Sequence, residues 1–264
     1  MLPHALTRID AWRGARRRAG RLLVALDYDG TLVPIVARPV EAELPAAARE
    51  VLARLAARPD TDVAVVSGRE LEDLRARVAI EGLYYAGNHG LEIEGPGLER
   101  KHPDALALRP RMARCGEKLR ARLAGISGVV VEEKGLTASV HYRLVEEAGA
   151  VARVRATVRE LCGSEPRLRL TEGKKVLEVR PAVDWDKGRA TRYLLDALAP
   201  GPATLIPALF IGDDRTDEDA FTALRDHGEG IVVATSPPPT TAATFYLRDP
   251  AEVIAFLAAL AAAG

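Results

Sequence analysis

Two aspartates one residue apart, Asp27 and Asp29, close the apolar run LLVAL and stand just before Gly30 and Thr31. A paired arrangement of this kind lets one carboxylate attack an electrophile while the other moves protons. Two further polar clusters follow apolar runs in the same way: Ser67-Gly68-Arg69 after DVAVV, and Gly212-Asp213-Asp214-Arg215-Thr216-Asp217-Glu218 after LIPALFI. Lys187 opens a helical pattern between them. In an open parallel sheet, ligands gather beyond the carboxyl ends of the strands, so these groups are expected to meet at one sheet edge. Carboxylates brought together there repel by about 4 kcal/mol per pair at about 4 Å and an effective dielectric near 20. They require a cation. Oxygen ligands without nearby His or Cys favour a hard ion, and their small number suits Mg²⁺ that keeps waters and a phosphate oxygen of the substrate.

The elements that must carry these groups alternate. The run RLLVALD and the run DVAVVSGR predict strands, with a helix over LPAAAREVLARLAARP between them that stops at Pro59. LEDLRARVAI is helical, LYYAGNHG strand-like and LEIEG a short strand. After the midsection the alternation returns, with a helix over 187–199, a strand over 204–214, the helix TDEDAFTALRD, the strand GIVVAT and a terminal helix over 250–263. Buried strands alternating with helices imply an α/β fold, a doubly wound, Rossmann-like parallel sheet covered on both faces. From about Leu108 to Arg180 the order becomes helix, paired strands, helix, paired strands, which suits an antiparallel sheet with helices on one face. The expected organisation is therefore a core of residues 1–107 and 181–264 with an inserted α+β cap of residues 108–180. GPGLERKHPDALALRP and RPAVDWD read as linkers, with Pro103 and Pro181 as hinge candidates.

Composition narrows the class. The chain has 264 residues, 48% of them hydrophobic, and 37 basic residues balance 37 acidic ones, so no global field recruits nucleic acid or an anionic membrane. The basic stretch RGARRRAGR is followed by too short an apolar run for a signal peptide or a membrane span, and the sequence reads as cytoplasmic. Cys115 and Cys162 are too few and too widely separated for a disulfide scaffold or a zinc site and read as small helix residues. No element shows a spare apolar face, which suits a monomer.

The segments DYDGT, SGR, Lys187 and GDDRTDED resemble, in this order, the four motifs of the haloacid dehalogenase (HAD) superfamily. The resemblance implies that Asp27 is the nucleophile that becomes an aspartyl-phosphate, and that Asp29 protonates the leaving oxygen and then activates water. It implies phosphate contacts from Thr31, Ser67, Gly68 and Arg69, charge compensation by Lys187, and Mg²⁺ held by Asp27, the carbonyl of Asp29 and Asp213. Asp214 and Asp217 either help hold the metal or orient Lys187. A further likeness lies in GNHGLE, in VEEKG followed by HYR, and in GKKVLEVRP, which are similar to segments of the trehalose-6-phosphate phosphatase family. It implies hydrolysis of trehalose 6-phosphate, with Glu132, Lys134 and Glu178 of the cap reading sugar hydroxyls and Asn88, His89 and Arg143 as further candidate contacts. His89 serves equally as a turn residue.

The chemistry of the cap agrees with this assignment. A disaccharide offers hydroxyls, and a site that pairs carboxylates and amines with them rejects a sugar that leaves those groups unpaired. Glu132 and Lys134 share one face of a strand while Glu133 points the other way. Lys175 and Glu178 differ by an odd number, so one strand cannot present both, and Glu178 is preferred. The rival readings are a phosphatase for sucrose phosphate or a mannosyl phosphate compound, a phosphomutase, and a receiver-like signalling module phosphorylated on Asp27. Asp29 and the cap argue against the last.

Overall fold

The computed structural model describes residues 2–199, 201 and 206–262, so Thr204, Leu205 and Ala263, at the limits of two expected elements, lie outside the described residues. In chain order the elements are α1 (Ile9–Ala19), β1 (Leu22–Leu26), α2 (Ala46–Ala56), β2 (Thr61–Val66), α3 (Leu71–Val78), β3 (Tyr84–Gly87), β4 (Glu92–Gly95) and β5 (Leu98–Lys101). There follow α4 (Pro103–Ala107), α5 (Arg109–Leu123), β6 (Val130–Glu133), β7 (Ala138–His141), α6 (Ala148–Gly163), β8 (Leu168–Gly173) and β9 (Val176–Pro181). The chain closes with α7 (Lys187–Leu198), β10 (Ala208–Gly212), α8 (Asp217–Ala223), β11 (Gly228–Val233), β12 (Phe245–Leu247) and α9 (Pro250–Ala261).

Two compact units result, one of residues Met1–Arg100 with Trp185–Gly264, the other of Lys101–Asp184. Both crossings fall a few residues outside the 108–180 boundaries expected from sequence. The difference on the first side has a local cause: the segment expected to be a linker forms β5 and then the short helix α4, begun by Pro103 in the first-turn position where its missing N–H costs nothing.

Among the described residues the first unit holds an eight-stranded sheet in the order β12-β11-β10-β1-β2-β3-β4-β5. The pairs from β12 through β3 are parallel, in keeping with the expected doubly wound sheet, and β4 runs antiparallel to β3 at one edge. β1 is apolar at every position because both of its faces are covered. Leu22, Val24 and Leu26 pack with Leu52, Leu55, Leu74 and Phe256 on one side, while Leu23 and Ala25 pack with Leu194, Phe210 and Phe221 on the other. β1 lies between β2 and β10, where the sheet begins to be wound in opposite directions, so its carboxyl end opens on the crevice where such folds bind ligands.

Three arginines of the basic N-terminal stretch are spent internally. Arg13 donates to the Ala259 carbonyl at 2.5 Å and Arg16 to the Leu260 carbonyl at 3.1 Å, satisfying the last turn of α9, while Arg21 pairs with Asp62 at 2.5 Å. No helix among the described residues is long and apolar enough to cross a membrane.

The second unit pairs its strands in the antiparallel order β6-β7-β9-β8. Its core lies between one sheet face and the helices, where Leu119, Val154 and Val158 meet Val140, Leu177 and Val179. Cys115 and Cys162 are buried there, and burial pushes the Cys115 thiol up to about 11, so it carries little thiolate character.

Candidate active site

The ends of four strands supply the first unit's polar cluster. β1 delivers Asp27, whose N–H is fixed by the Ile211 carbonyl of β10 at 2.9 Å. Ser67 directly follows β2, Asn88 follows β3 and Asp213 follows β10. Lys187 is the first residue of α7, whose start is set by the Asp186 carboxylate accepting from the Arg189 N–H at 2.8 Å.

Lys187 joins two of the acids. Its Nζ donates to Asp27 at 2.6 Å and to Asp217 at 2.7 Å, with all three side chains buried. Asp27, Asp213 and Asp217 bring carboxylate oxygens within 4.8 Å of one another. Burial pushes the Asp27 carboxyl well above the ordinary carboxylate value; the Lys187 ammonium pulls against this, and Asp217 and Asp213 add to the rise. Burial opposes the Lys187 charge as well, yet Asp217 and Asp27 hold its value above the ordinary one. The cluster thus carries three carboxylates against one ammonium, and added positive charge is what would keep Asp27 ionised. The donor set fits that demand, being all oxygen and containing no imidazole or thiolate. Backbone shape contributes too. Gly30 adopts φ +87°, and a Cβ there would stand 2.3 Å from the Asp213 carboxylate, so only glycine lets Asp213 approach the turn.

Asp214 is expected from sequence among the metal residues, yet it is Asp217 that joins Asp27 and Asp213. Asp217 is fully buried and spends one oxygen on Lys187 and the other on the Asp214 N–H at 2.9 Å. The Asp214 carboxylate instead accepts from the Arg215 N–H at 2.7 Å, within its own turn, and lies outside the cluster of three.

The expected phosphate contacts distribute unevenly. The Thr31 hydroxyl is buried and makes no hydrogen bond to the protein among the described residues, as suits a donor kept for a ligand. The Ser67 hydroxyl accepts from the Arg69 N–H at 3.2 Å, which leaves its own proton to donate. Gly68 lies against the His89 ring, whose Nε2 would be 2.8 Å from a Cβ at position 68. Arg69, expected at the substrate, has its guanidinium engaged by both oxygens of Asp29, by Asp73 and by the Pro39 carbonyl. Asn88, His89 and Gly90 form a run of left-handed residues at φ 49°, 59° and 84°, where the sequence suggested continued strand. Backbone bonds hold this turn, from the Asn88 N–H to the Arg69 carbonyl at 2.6 Å and from the His89 N–H to the Ser67 carbonyl at 2.8 Å. The Trp185 indole adds a bond to the Gly90 carbonyl at 2.7 Å, and the Asn88 amide donates to Glu92 at 3.1 Å.

The second unit carries a polar row on the sheet face away from its helices. Glu132, Ser139, Glu178 and Thr171 are successive cross-strand partners. Lys134 lies just past the end of β6 in the hairpin turn, where its N–H bonds the Thr137 carbonyl at 2.9 Å and its ammonium donates to Glu178 at 2.5 Å. Thr137 and Ser139 direct hydroxyls at the same Glu178 oxygen, at 3.3 and 3.5 Å, and Glu132 pairs with His141 at 3.0 Å. Glu133 faces α5 and pairs with Arg120 at 2.6 Å. Arg143 stays apart, exposed and donating to the Lys174 carbonyl at 2.5 Å, and Lys175 occupies the β8–β9 turn at φ 67°. Ser139 and Thr137 were missed from sequence, although pairing the two strands across the KGLT turn would have set Ser139 opposite Glu132.

A family model described as trehalose-phosphatase matches residues 25–251. "Probable trehalose-phosphate phosphatase 3" from Oryza sativa subsp. japonica is 41% identical over 259 residues, covering 92% of this chain and 70% of its own length. "Trehalose-phosphate phosphatase" from Mycobacterium tuberculosis (strain H37Rv) is 42% identical over 266 residues, covering 98% of this chain and 66% of its own length. Among solved structures, the C-terminal domain of the C. albicans trehalose-6-phosphate phosphatase aligns with a TM-score of 0.82 over 99% of both chains at 20% identity, a likeness of fold.

Proposed function

Since the chain belongs to the trehalose-phosphatase family, we propose that it is a phosphoric monoester hydrolase converting trehalose 6-phosphate and water to trehalose and inorganic phosphate. The observation that carries this reading is the buried Lys187 ammonium bridging Asp27 and Asp217, with Asp213 beside them, at the carboxyl end of β1.

In the first step an Asp27 carboxylate oxygen attacks phosphorus, the bond from phosphorus to the sugar oxygen breaks, and that oxygen takes a proton from Asp29. The product is an aspartyl-phosphate. In the second step Asp29 accepts a proton from water, whose oxygen attacks phosphorus, and the Asp27 carboxylate is released with inorganic phosphate. One carboxyl group thereby serves as acid and then as base. Lys187 holds Asp27 in place and offsets negative charge on the transferring group, while the Thr31 and Ser67 hydroxyls donate to phosphoryl oxygens. Mg²⁺ fits the oxygen donors Asp27, Asp213 and the Asp29 carbonyl, and when bound supplies charge neutralisation for phosphate and nucleophile.

Specificity for the sugar is assigned to Glu132, Lys134 and Glu178 of the second unit, whose charges suit hydroxyl groups. The reading includes a small-molecule sugar phosphate as partner, a cytoplasmic monomer, and no nucleic acid or membrane ligand.

The decisive experiment is a panel of phosphate esters assayed with Mg²⁺, comprising trehalose 6-phosphate, sucrose 6-phosphate, a mannosyl phosphate compound and glucose 6-phosphate. Trehalose 6-phosphate is expected to have the highest kcat/KM. A rate on it no better than on glucose 6-phosphate would defeat the assignment.

A further inference from the structure

Asp29 carries the proton in the mechanism above, and among the described residues its side-chain hydrogen bonds come from Arg69. Both carboxylate oxygens accept from Arg69, from Nε at 2.7 Å and from Nη2 at 2.8 Å. Three groups outside the phosphoryl transfer fix that guanidinium in turn. Asp73 accepts from Nη1 at 2.9 Å, the Pro39 carbonyl accepts from Nη2 at 2.9 Å, and the Tyr28 ring centre lies 5.1 Å from the guanidinium carbon.

The holders are themselves tied together. Arg77 grips Asp73 through Nε at 2.8 and 2.9 Å and reaches the Val40 and Ala42 carbonyls through Nη1 at 3.2 and 3.1 Å. The Tyr28 hydroxyl donates to the same Ala42 carbonyl at 3.0 Å. Arg69, Asp73 and Arg77 therefore form a ladder at spacings of four residues along the start and body of α3, and residues 39–42 are strapped across it.

A terminal carboxylate torsion is soft, and the Asp29 side chain is 41% exposed, so packing alone does not orient it. A forked guanidinium does, since it matches both oxygens at once. Placement of this kind matters for proton transfer, where a shift of about 1 Å can cost about 100-fold in rate.

We propose that Arg69 is a positioning residue for proton transfer, acting through Asp29, and that Asp73 and the 39–42 strap set where Arg69 stands. The proposal rests on Asp29 being the acid and base of the phosphatase reaction. It differs from a phosphate-binding role for Arg69, in which the guanidinium would contact the substrate directly. Asp73 makes the distinction measurable, because it touches Arg69 through Nη1 and is not among the residues assigned to the substrate.

The test compares leaving groups. A sugar alkoxide needs a proton to depart, whereas p-nitrophenolate leaves without one. For Asp73→Asn, kcat on the sugar phosphate is expected to fall about tenfold with KM within about twofold, while first-turnover release of nitrophenolate from p-nitrophenyl phosphate changes by less than about twofold. Arg69→Lys keeps the charge and loses the fork, and is expected to lose more on the sugar ester than on the aryl ester. Equal losses on both esters in either variant, or an unchanged rate on the sugar phosphate, would overturn the proposal. Thermal unfolding of each variant identifies a loss that merely reflects misfolding, and Arg69→Lys then decides if Asp73→Asn does not fold. If the wild-type protein prefers another sugar phosphate, the substrate assignment fails, and the same comparison on that ester still decides the role of Arg69.

Discussion

Asp217, fully buried at the start of α8, holds the Lys187 ammonium at 2.7 Å, and the same ammonium stands 2.6 Å from Asp27. Asp217 thereby reaches Asp27 through a lysine that comes from a different helix. A Cβ at Gly212 would lie 2.3 Å from the Asp217 carboxyl carbon, so the glycine that ends β10 is part of this approach.

Replacing Asp217 by Asn removes one of the two charges that compensate a buried ammonium. Breaking a buried pair from one side typically costs about 3 kcal/mol, and loss of a placed electrostatic contact costs about 100-fold in rate. Asp217→Asn is therefore expected to lower both the denaturation midpoint and kcat. Steady-state kinetics beside urea unfolding measure this, and wild-type values in both would contradict the pairing.

Gly30→Ala introduces a side chain at φ +87° and drives a Cβ against the Asp213 carboxylate. Strain of the left-handed backbone costs about 1–2 kcal/mol, and Asp213 must also move. The expected outcome is a lower Tm together with a reduced rise of Tm on adding Mg²⁺, since ligand stabilisation scales with affinity. An undiminished Mg²⁺ response would separate Asp213 from cation binding.

Glu178→Gln changes the acceptor of the Lys134 ammonium, at 2.5 Å, from an anion to a neutral amide. A hydroxyl-reading site disturbed in this way should raise KM for trehalose 6-phosphate about tenfold, with a smaller effect on p-nitrophenyl phosphate, which has no sugar to read. Equal effects on both substrates would remove Glu178 from sugar recognition.

Asp60 gives stability a pH dependence away from the site. Hydrogen bonds from Arg58 lower its carboxyl value, burial works against them, and Thr61 and Arg16 add to the lowering. A folded-state value below the unfolded one of about 3.9 means that the stabilisation is present above that pH and is lost as pH falls through the folded value. As pH falls below about 4 the wild-type Tm should drop more steeply than that of Asp60→Asn. Parallel curves would show that the Asp60 contacts do not contribute.

Much of the fold is legible from local pattern. The unbroken apolar run of β1 signals a strand covered on both faces, and the alternation in VVVEE separates Glu132 from Glu133, which face opposite sides of the second sheet. Pattern fails where a few residues change direction. Asn88 and His89 continue the apparent strand LYYAGNHG, yet both turn left-handed because bonds to Ser67 and Arg69, distant in sequence, hold them there. The segment Leu98–Lys101 is apolar only at Leu98 and too short to stand out, and it becomes a strand because β4 offers an edge to pair with.

The order of the acidic motifs, their position after apolar runs and the composition of each determined that carboxylates, a serine and a lysine would meet at a sheet edge. These are properties of residue type and spacing, set by strand and helix periods. Tertiary structure alone decided which groups pair: Lys187 with Asp27 across 160 residues, and Asp29 with Arg69 across 40. Such contacts depend on how separate elements approach one another in space, and the strength of an ion pair depends on burial and distance rather than on position along the chain. Asp73 sits four residues after Arg69 in a helical pattern, so a pairing of the two was open to inspection. That the Arg69 guanidinium also turns towards Asp29 follows only from the folded molecule.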